Sequence, residues 1–136
     1  MIWLLDTNIA SYYASRKAGY ERIARRLSGR SFGEARISVI TLAELEYGIA
    51  ESKYKAQNAE ALTDLLAIIE VDPFPIEAAR CYADIRAHLR RIAKPSGAYD
   101  MLIGAHALAI GATLVTNNED DFRHMPGITI VNWLRK

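Results

Sequence analysis

"MIWLLDTNIA", residues 1–10, carries four consecutive apolar side chains (Ile2, Trp3, Leu4, Leu5) straight into Asp6, Thr7 and Asn8. A short apolar run closed by polar residues reads as a strand buried on both faces. Strands of that kind belong to parallel sheets, whose crossovers are usually helices, so this reading decides the fold class. It also leaves a carboxylate at the end of a buried strand. Asp6 can cap the helix that follows. Thr7 or Asn8 could cap it equally well, so a cap does not require the acid, and a ligand role stands beside it.

The pattern repeats along the 136 residues. Residues 9–27 show helical spacing until "SGRSFGEA" breaks it, and residues 36–39 form a second short strand. Helices are predicted over 41–52, with Leu42, Leu45 and Ile49 on one stripe, and over 58–69. "VDPFP" is a brief extended segment. Residues 76–93 form an amphipathic helix whose stripe includes Cys81, which reads as a packed core thiol. After "KPSG" comes a helix over 99–110, then a strand in "TLVTN", a helical turn in "EDDFRHM" and a last strand in "ITIVNWL". Strands alternating with helices imply an α/β fold with a mainly parallel central sheet covered on both faces. Ligands of such sheets sit beyond the carboxyl ends of the strands, where Asp6 and "TNNEDD" both fall.

Composition narrows the class. Half the residues are apolar and a quarter charged, with no linker or repeat, so one domain over residues 1–136 is expected. No apolar run is long enough to span a bilayer, and the start lacks the basic residues and cleavage site of a secretory signal. With a single cysteine there is no internal disulfide, and the cytoplasm is the expected compartment. The net charge is +1, but two basic stretches stand out. Residues 16–30 hold Arg16, Lys17, Arg22, Arg25, Arg26 and Arg30 against Glu21 alone, and residues 86–94 hold Arg86, Arg90, Arg91 and Lys94 with no acid. Either could be a solvated helix face or a track for a phosphate backbone.

The acids carry the chemistry. Asp100 is followed by Ile103, Gly104, Ala107 and Ile110, so it stands on the apolar face at the start of its helix. A lone carboxylate there costs several kcal/mol, roughly, unless paired or bound to a metal, and a helix N-terminus offsets only about 0.3–1 kcal/mol. Glu44 lies at the edge of the Leu42/Leu45/Ile49 stripe, whereas Glu46 reads as solvated. In "VTNNEDDF", Asp121 precedes the apolar anchor Phe122 and is the acid most expected to hold a fixed direction, with Asp120 as its alternative. Carboxylates gathered from separate elements repel one another without a cation, and oxygen-only ligands suit Mg²⁺ or Mn²⁺. Zinc is disfavoured, because His88, His106 and His124 have no ligand spacing with the one cysteine. His106 and His124 read as surface or packing residues.

"LLDTNI", "ISVITLAELEYG", "YDMLIGAHALAIGATLVTNNEDDF" and "ITIVNWL", in that order over essentially the whole chain, resemble the PIN-domain nucleases. Within these they are similar to the VapC-type toxins of bacterial toxin–antitoxin pairs. The resemblance implies a three-layer α/β/α sandwich and a Mg²⁺-dependent endoribonuclease site, with Mn²⁺ as a substitute. Asp6, Glu44 and Asp100 match the family's first three acids. The fourth departs from the commonest pattern: Asn118 stands where many relatives have an aspartate, and Asp121 matches a variant of it. One metal or two, about 3.5–4 Å apart when paired, therefore stays open. On this reading Asp6, Asp100 and Asp121 hold metal and Glu44 completes the cluster, with Thr7, Asn8, Thr116 and Asn118 aiming the carboxylates. The resemblance also implies a homodimer, silencing by a cognate VapB-type antitoxin in a higher-order complex, and structured RNA as substrate, initiator tRNA in particular. Two other readings remain: a non-catalytic protein-binding module of the same fold, and a Mg²⁺-dependent phosphohydrolase. The covalent form of the latter needs a second aspartate where Asn8 stands.

Overall fold

The computed structural model describes residues 1–135. Twelve elements follow one another: β1 (Trp3–Leu5), α1 (Thr7–Ala14), α2 (Tyr20–Leu27), β2 (Ala35–Ser38), α3 (Val39–Ala50), α4 (Lys55–Leu66), β3 (Glu70–Asp72), α5 (Ala78–Arg91), α6 (Ala98–Ala109), β4 (Thr113–Val115), α7 (Glu119–Phe122) and β5 (Ile130–Val131). The strands form one sheet in the order β3-β2-β1-β4-β5, and every neighbouring pair is parallel.

Side chains alternate across a strand, so Leu4 and Leu114 face one layer while Leu5 and Val115 face the other. Leu4 and Leu114 pack with Ile85, Leu89, Ile103, Phe122 and Met125 from the α5–α7 side. Leu5 and Val115 pack with Ile9, Ile23, Leu62, Leu65 and Trp133. The apolar run of residues 2–5 is thus the middle of a three-layer α/β/α sandwich. No described helix is long and apolar enough to cross a membrane.

Three local readings change. The helix predicted over 9–27 is two helices, because the chain turns between them with Arg16 and Gly19 in the left-handed region (φ 52° and 96°). Glycine reaches that region without a Cβ clash and can end a periodic pattern that otherwise looks continuous. Val39 begins α3 rather than ending β2, since Ser38 Oγ accepts the Ile40 N–H (3.1 Å) and caps the helix there. "ITIVNWL" pairs only through Ile130 and Val131, after which Asn132 accepts the Leu134 N–H and turns the chain. Cys81 is half-buried at the edge of the core.

The acidic turn α7 is pinned rather than loose. Phe122 is fully buried, and Met125 packs so closely on α6 that a Cβ at Gly104 would sit 2.5 Å from its Sδ. Replacing Phe122 with Ala is expected to lower stability by about 3–5 kcal/mol. Urea unfolding would register the loss, and faster amide exchange confined to residues 118–125 would show α7 coming away first.

Candidate active site

The sheet's register sets the site. Leu5 pairs with Ile37 on one side and Val115 on the other, so the next residues, Asp6, Ser38 and Thr116, stand side by side at the carboxyl edge. Asp6 is 2% exposed, and its Oδ1 accepts the Ile9 N–H at 2.8 Å. It therefore is the cap of α1, and Thr7 and Asn8 do not hold it. Thr116 is buried beside it, and its hydroxyl favours the ionised Asp6 carboxylate. Thr116 Oγ1 also accepts the Asn118 N–H at 2.9 Å, fixing the start of the acidic turn.

The other acids arrive on helices. Thr7, in the first turn of α1, lies 2.6 Å from Glu44 Oε1 and 3.2 Å from the Thr41 hydroxyl. A hydroxyl has one proton, so Thr7 donates to the carboxylate and accepts from Thr41. Glu44 is half-buried and Glu46 exposed, as the stripe on α3 predicts. Asp100 stands half-buried in the first turn of α6. Ser96, just before that helix, donates to the Asp121 carbonyl at 2.8 Å and so ties α7 to the α6 start.

Electrostatics shows the acids acting on one another. Burial pushes Asp6 up to about 6, and the charges of Asp100 and Glu44 push the same way against the hydrogen bonds from Thr116 and Ile9. Burial likewise pushes Asp100 up to about 6, helped by Asp121 and Glu44. Among the described residues no lysine, arginine or histidine forms an ion pair with Asp6, Glu44, Asp100 or Asp121. Their neighbours do find partners: Arg36 meets Glu70 and Asp72, Arg123 meets Asp120, and Arg135 meets Glu119. Asp120 is thus turned outward into its own pair, and Asp121 is the acid whose charge reaches Asp100.

Four carboxylates without a cation fit a hard divalent ion in chemistry and in charge. Among the described residues no three acids, histidines or cysteines converge tightly enough to form a closed cage as they stand.

The remaining predicted residues divide. Asn8 is exposed and lines a groove with Thr7, Ser11, Glu44, Gly48 and Asn58, beside the acids rather than among them. Arg86 and Arg90 line a groove of about 520 Å³ that continues to Ser96, Ala98 and Met101, next to Asp100. Arg91 is exposed on the same helix. Arg22 is engaged with the Leu134 carbonyl at 3.2 Å. Arg25 and Arg26 are exposed on α2, whose end faces a cavity with Phe32 and Ala35 at the amino edge of the sheet. The structure therefore brings the 86–94 patch to the acids and leaves the 16–30 patch away from them. His106, read from sequence as surface or packing, is fully buried. Its partners Ser38 and Asp72 carry no signal in their own segments, although His106 does fall on the Ile103/Ile110 stripe.

The geometry makes Asp6 a liability when no cation is bound. Its folded pKa of about 6 lies above the ordinary aspartate value of 3.8, so the penalty is absent below about pH 4 and complete above about pH 6. With chelator present, Asp6→Asn, which keeps the cap, is expected to raise stability at pH 7.5 by up to about 3 kcal/mol. By pH 4.5 most of the gain should be gone. Urea midpoints at the two pH values check this, and an equal effect at both would refute it.

Comparison with known proteins adds a second line. The PIN domain family's sequence profile matches residues 3–128. The chain is 36% identical over 135 residues to Ribonuclease VapC2 of Rickettsia felis, covering 98% of each protein. It is 35% identical over 131 residues to the tRNA(fMet)-specific endonuclease VapC of Salmonella typhimurium, covering 96% of this chain and 97% of that protein. Among solved structures, VapBC2 from Rickettsia felis bound to a DNA fragment from its promoter superposes with a TM-score of 0.88 at 36% identity. That superposition covers 98% of this chain and 99% of the other.

Proposed function

The chain belongs to the PIN-domain family, and from that premise we propose that it is a divalent-cation-dependent endoribonuclease, the toxin of a toxin–antitoxin pair. The observation that carries the reading is a set of four acids that act on one another's charge and have no cationic partner, while the acids around them are paired. Asp6, Asp100 and Asp121 would hold Mg²⁺, or Mn²⁺ in its place. The bound ion supplies a charge that polarises the scissile phosphate and lowers the pKa of the attacking water.

The chain's own residues do the rest. Asp6 is held by the Ile9 N–H, so its carboxylate needs little reorganisation to bind. Thr7 occupies Glu44 Oε1, leaving Oε2 to orient the water and accept its proton. Asn118, placed by Thr116, aims the turn that delivers Asp121. Arg86, Arg90 and Arg91 track RNA phosphates along α5 beside Asp100. Arg25 and Arg26 have no part in this path.

The substrate and partner extend the proposal. A relative's specificity for tRNA(fMet) makes initiator tRNA the first RNA to test. Relatives crystallise as VapBC complexes, and a VapB-type antitoxin is accordingly the expected partner, with a segment in the groove beside Glu44. A homodimer and a higher-order complex with the antitoxin complete this picture.

Purified protein is expected to cut initiator tRNA with Mg²⁺ or Mn²⁺ and to stop when the ion is chelated. Asp6→Asn and Asp100→Asn should each reduce the rate by at least about 100-fold while circular dichroism stays unchanged. Cleavage that survives both substitutions in a folded protein would defeat the metal-site reading. Cleavage of other RNAs but not this one would change only the substrate.

A further inference from the structure

A second polar array lies under the acids, and nothing in the proposed chemistry uses it. His106 Nδ1 is 2.7 Å from Ser38 Oγ, and its Nε2 is 2.8 Å from Asp72 Oδ1. Arg36 Nη1 donates to Asp72 Oδ2 at 2.6 Å, and Phe74 packs edge-on against the imidazole. Ser, His and Asp in this order resemble a hydrolase triad, but Ser38 and His106 are 0% exposed, so no substrate reaches the hydroxyl.

The protons can be placed. Ser38 Oγ accepts the Ile40 N–H, and toward a neutral imidazole its single proton goes to His106 Nδ1. The imidazole proton then sits on Nε2 and is donated to Asp72. Each of the three buried groups has a partner in this array.

Its location gives it a use. Ser38 caps α3 and stands six residues before Glu44, while His106 stands six residues after Asp100 on α6. The two helices pack against each other. The Ser38–His106 bond and the facing of Glu44 and Asp100 therefore match an antiparallel register, each acid about 9 Å along its helix from the same bond. Ser38 and Asp72 are themselves register partners in the sheet. The bond thus refers both helices to the carboxyl edge that also carries Asp6.

We propose that His106 is a positioning residue: a sealed rung from Ser38 and Asp72 to α6 that sets the separation of Glu44 from Asp100, and with it the affinity for the divalent ion. This rests on the metal-dependent reading above. Partners that orient metal-binding groups in this indirect way are worth about 10–100-fold in metal affinity.

The test compares His106→Leu and Ser38→Ala with the wild-type chain, and with Leu65→Ala as a control for lost stability. Leu65 is buried in the opposite core layer. All are assayed well below their unfolding temperatures and per folded molecule. Both rung variants are expected to weaken Mn²⁺ binding, read by titration calorimetry, by about tenfold or more. They should also lower kcat and leave the KM for RNA within about twofold, while Leu65→Ala changes neither binding nor kcat. Wild-type Mn²⁺ affinity in both rung variants would overturn the proposal, and Ser38→Ala decides alone if His106→Leu does not fold. Nitrogen-15 shifts of the His106 ring supply a reading without metal: a single fixed form with Nε2 protonated supports the rung, and a ring averaging between tautomers refutes it. Should the wild-type chain neither bind Mn²⁺ nor cut RNA, the functional reading fails, and the ring shifts alone decide whether the rung exists.

Discussion

Every feature of this molecule hangs on one register row. Val71, Ile37, Leu5 and Val115 are paired across adjacent parallel strands, and Val115 pairs in turn with Val131. In each strand the next residue is polar: Asp72, Ser38, Asp6, Thr116 and Asn132. Parallel strands all deliver the chain to the same edge, so a change from apolar to polar at one level becomes a continuous polar seam. Four of these five residues are buried, because α3 and α6 pack over that edge. Buried polar groups have to be satisfied, and how each is satisfied determines what it does.

The seam is costly, and the core holds it in place. Two apolar layers, one on each face of the sheet, contain nearly all of the fully buried side chains. They fix β1 and β4 rigidly enough that Asp6 keeps its position although burial and two neighbouring acids oppose its charge. A site built on loops alone would relax by swinging the acid into water. Here the carboxylate is anchored by the first turn of α1, and escape would require breaking the Ile9 cap. Destabilisation and preorganisation are therefore the same fact, which is the usual relation between stability and a charged active site.

Much of this was legible in sequence, and the reason is positional. Asp6 ends a buried run, Asp100 falls on its own helix's apolar face, Glu44 borders a stripe, and Asp121 precedes an apolar anchor. Each position is a local conflict between charge and burial that one segment suffices to expose. The rung was not legible in this way, because Ser38, Asp72 and His106 lie 34 and 68 residues apart, and only the sheet order brings them together. The two basic patches look alike in sequence for the same reason. Only the fold places Arg86 and Arg90 in a groove beside Asp100 while Arg22 is engaged with the C-terminal segment. The split of residues 9–27 was hidden by periodicity that continues across Gly19, whose backbone breaks the helix while the side-chain pattern does not.

Asp6 and Asp72 bring the argument to a point. Both are aspartates at the carboxyl end of a parallel strand, and both are nearly sealed from solvent. At Asp72 burial works to raise the pKa, yet hydrogen bonds from His106 and Arg36 and the charge of Arg36 outweigh it and hold the carboxyl below its usual range. At Asp6 burial is opposed only by a hydroxyl and an amide, and the carboxyl rises to about 6. A chain under pressure only to fold would treat the two alike, since a buried carboxylate without a cation is among the larger avoidable costs in a protein. Supplying a base to one and withholding it from the other, two strands away, keeps the first charge inside the structure. It leaves the second, together with Glu44, Asp100 and Asp121, without a base.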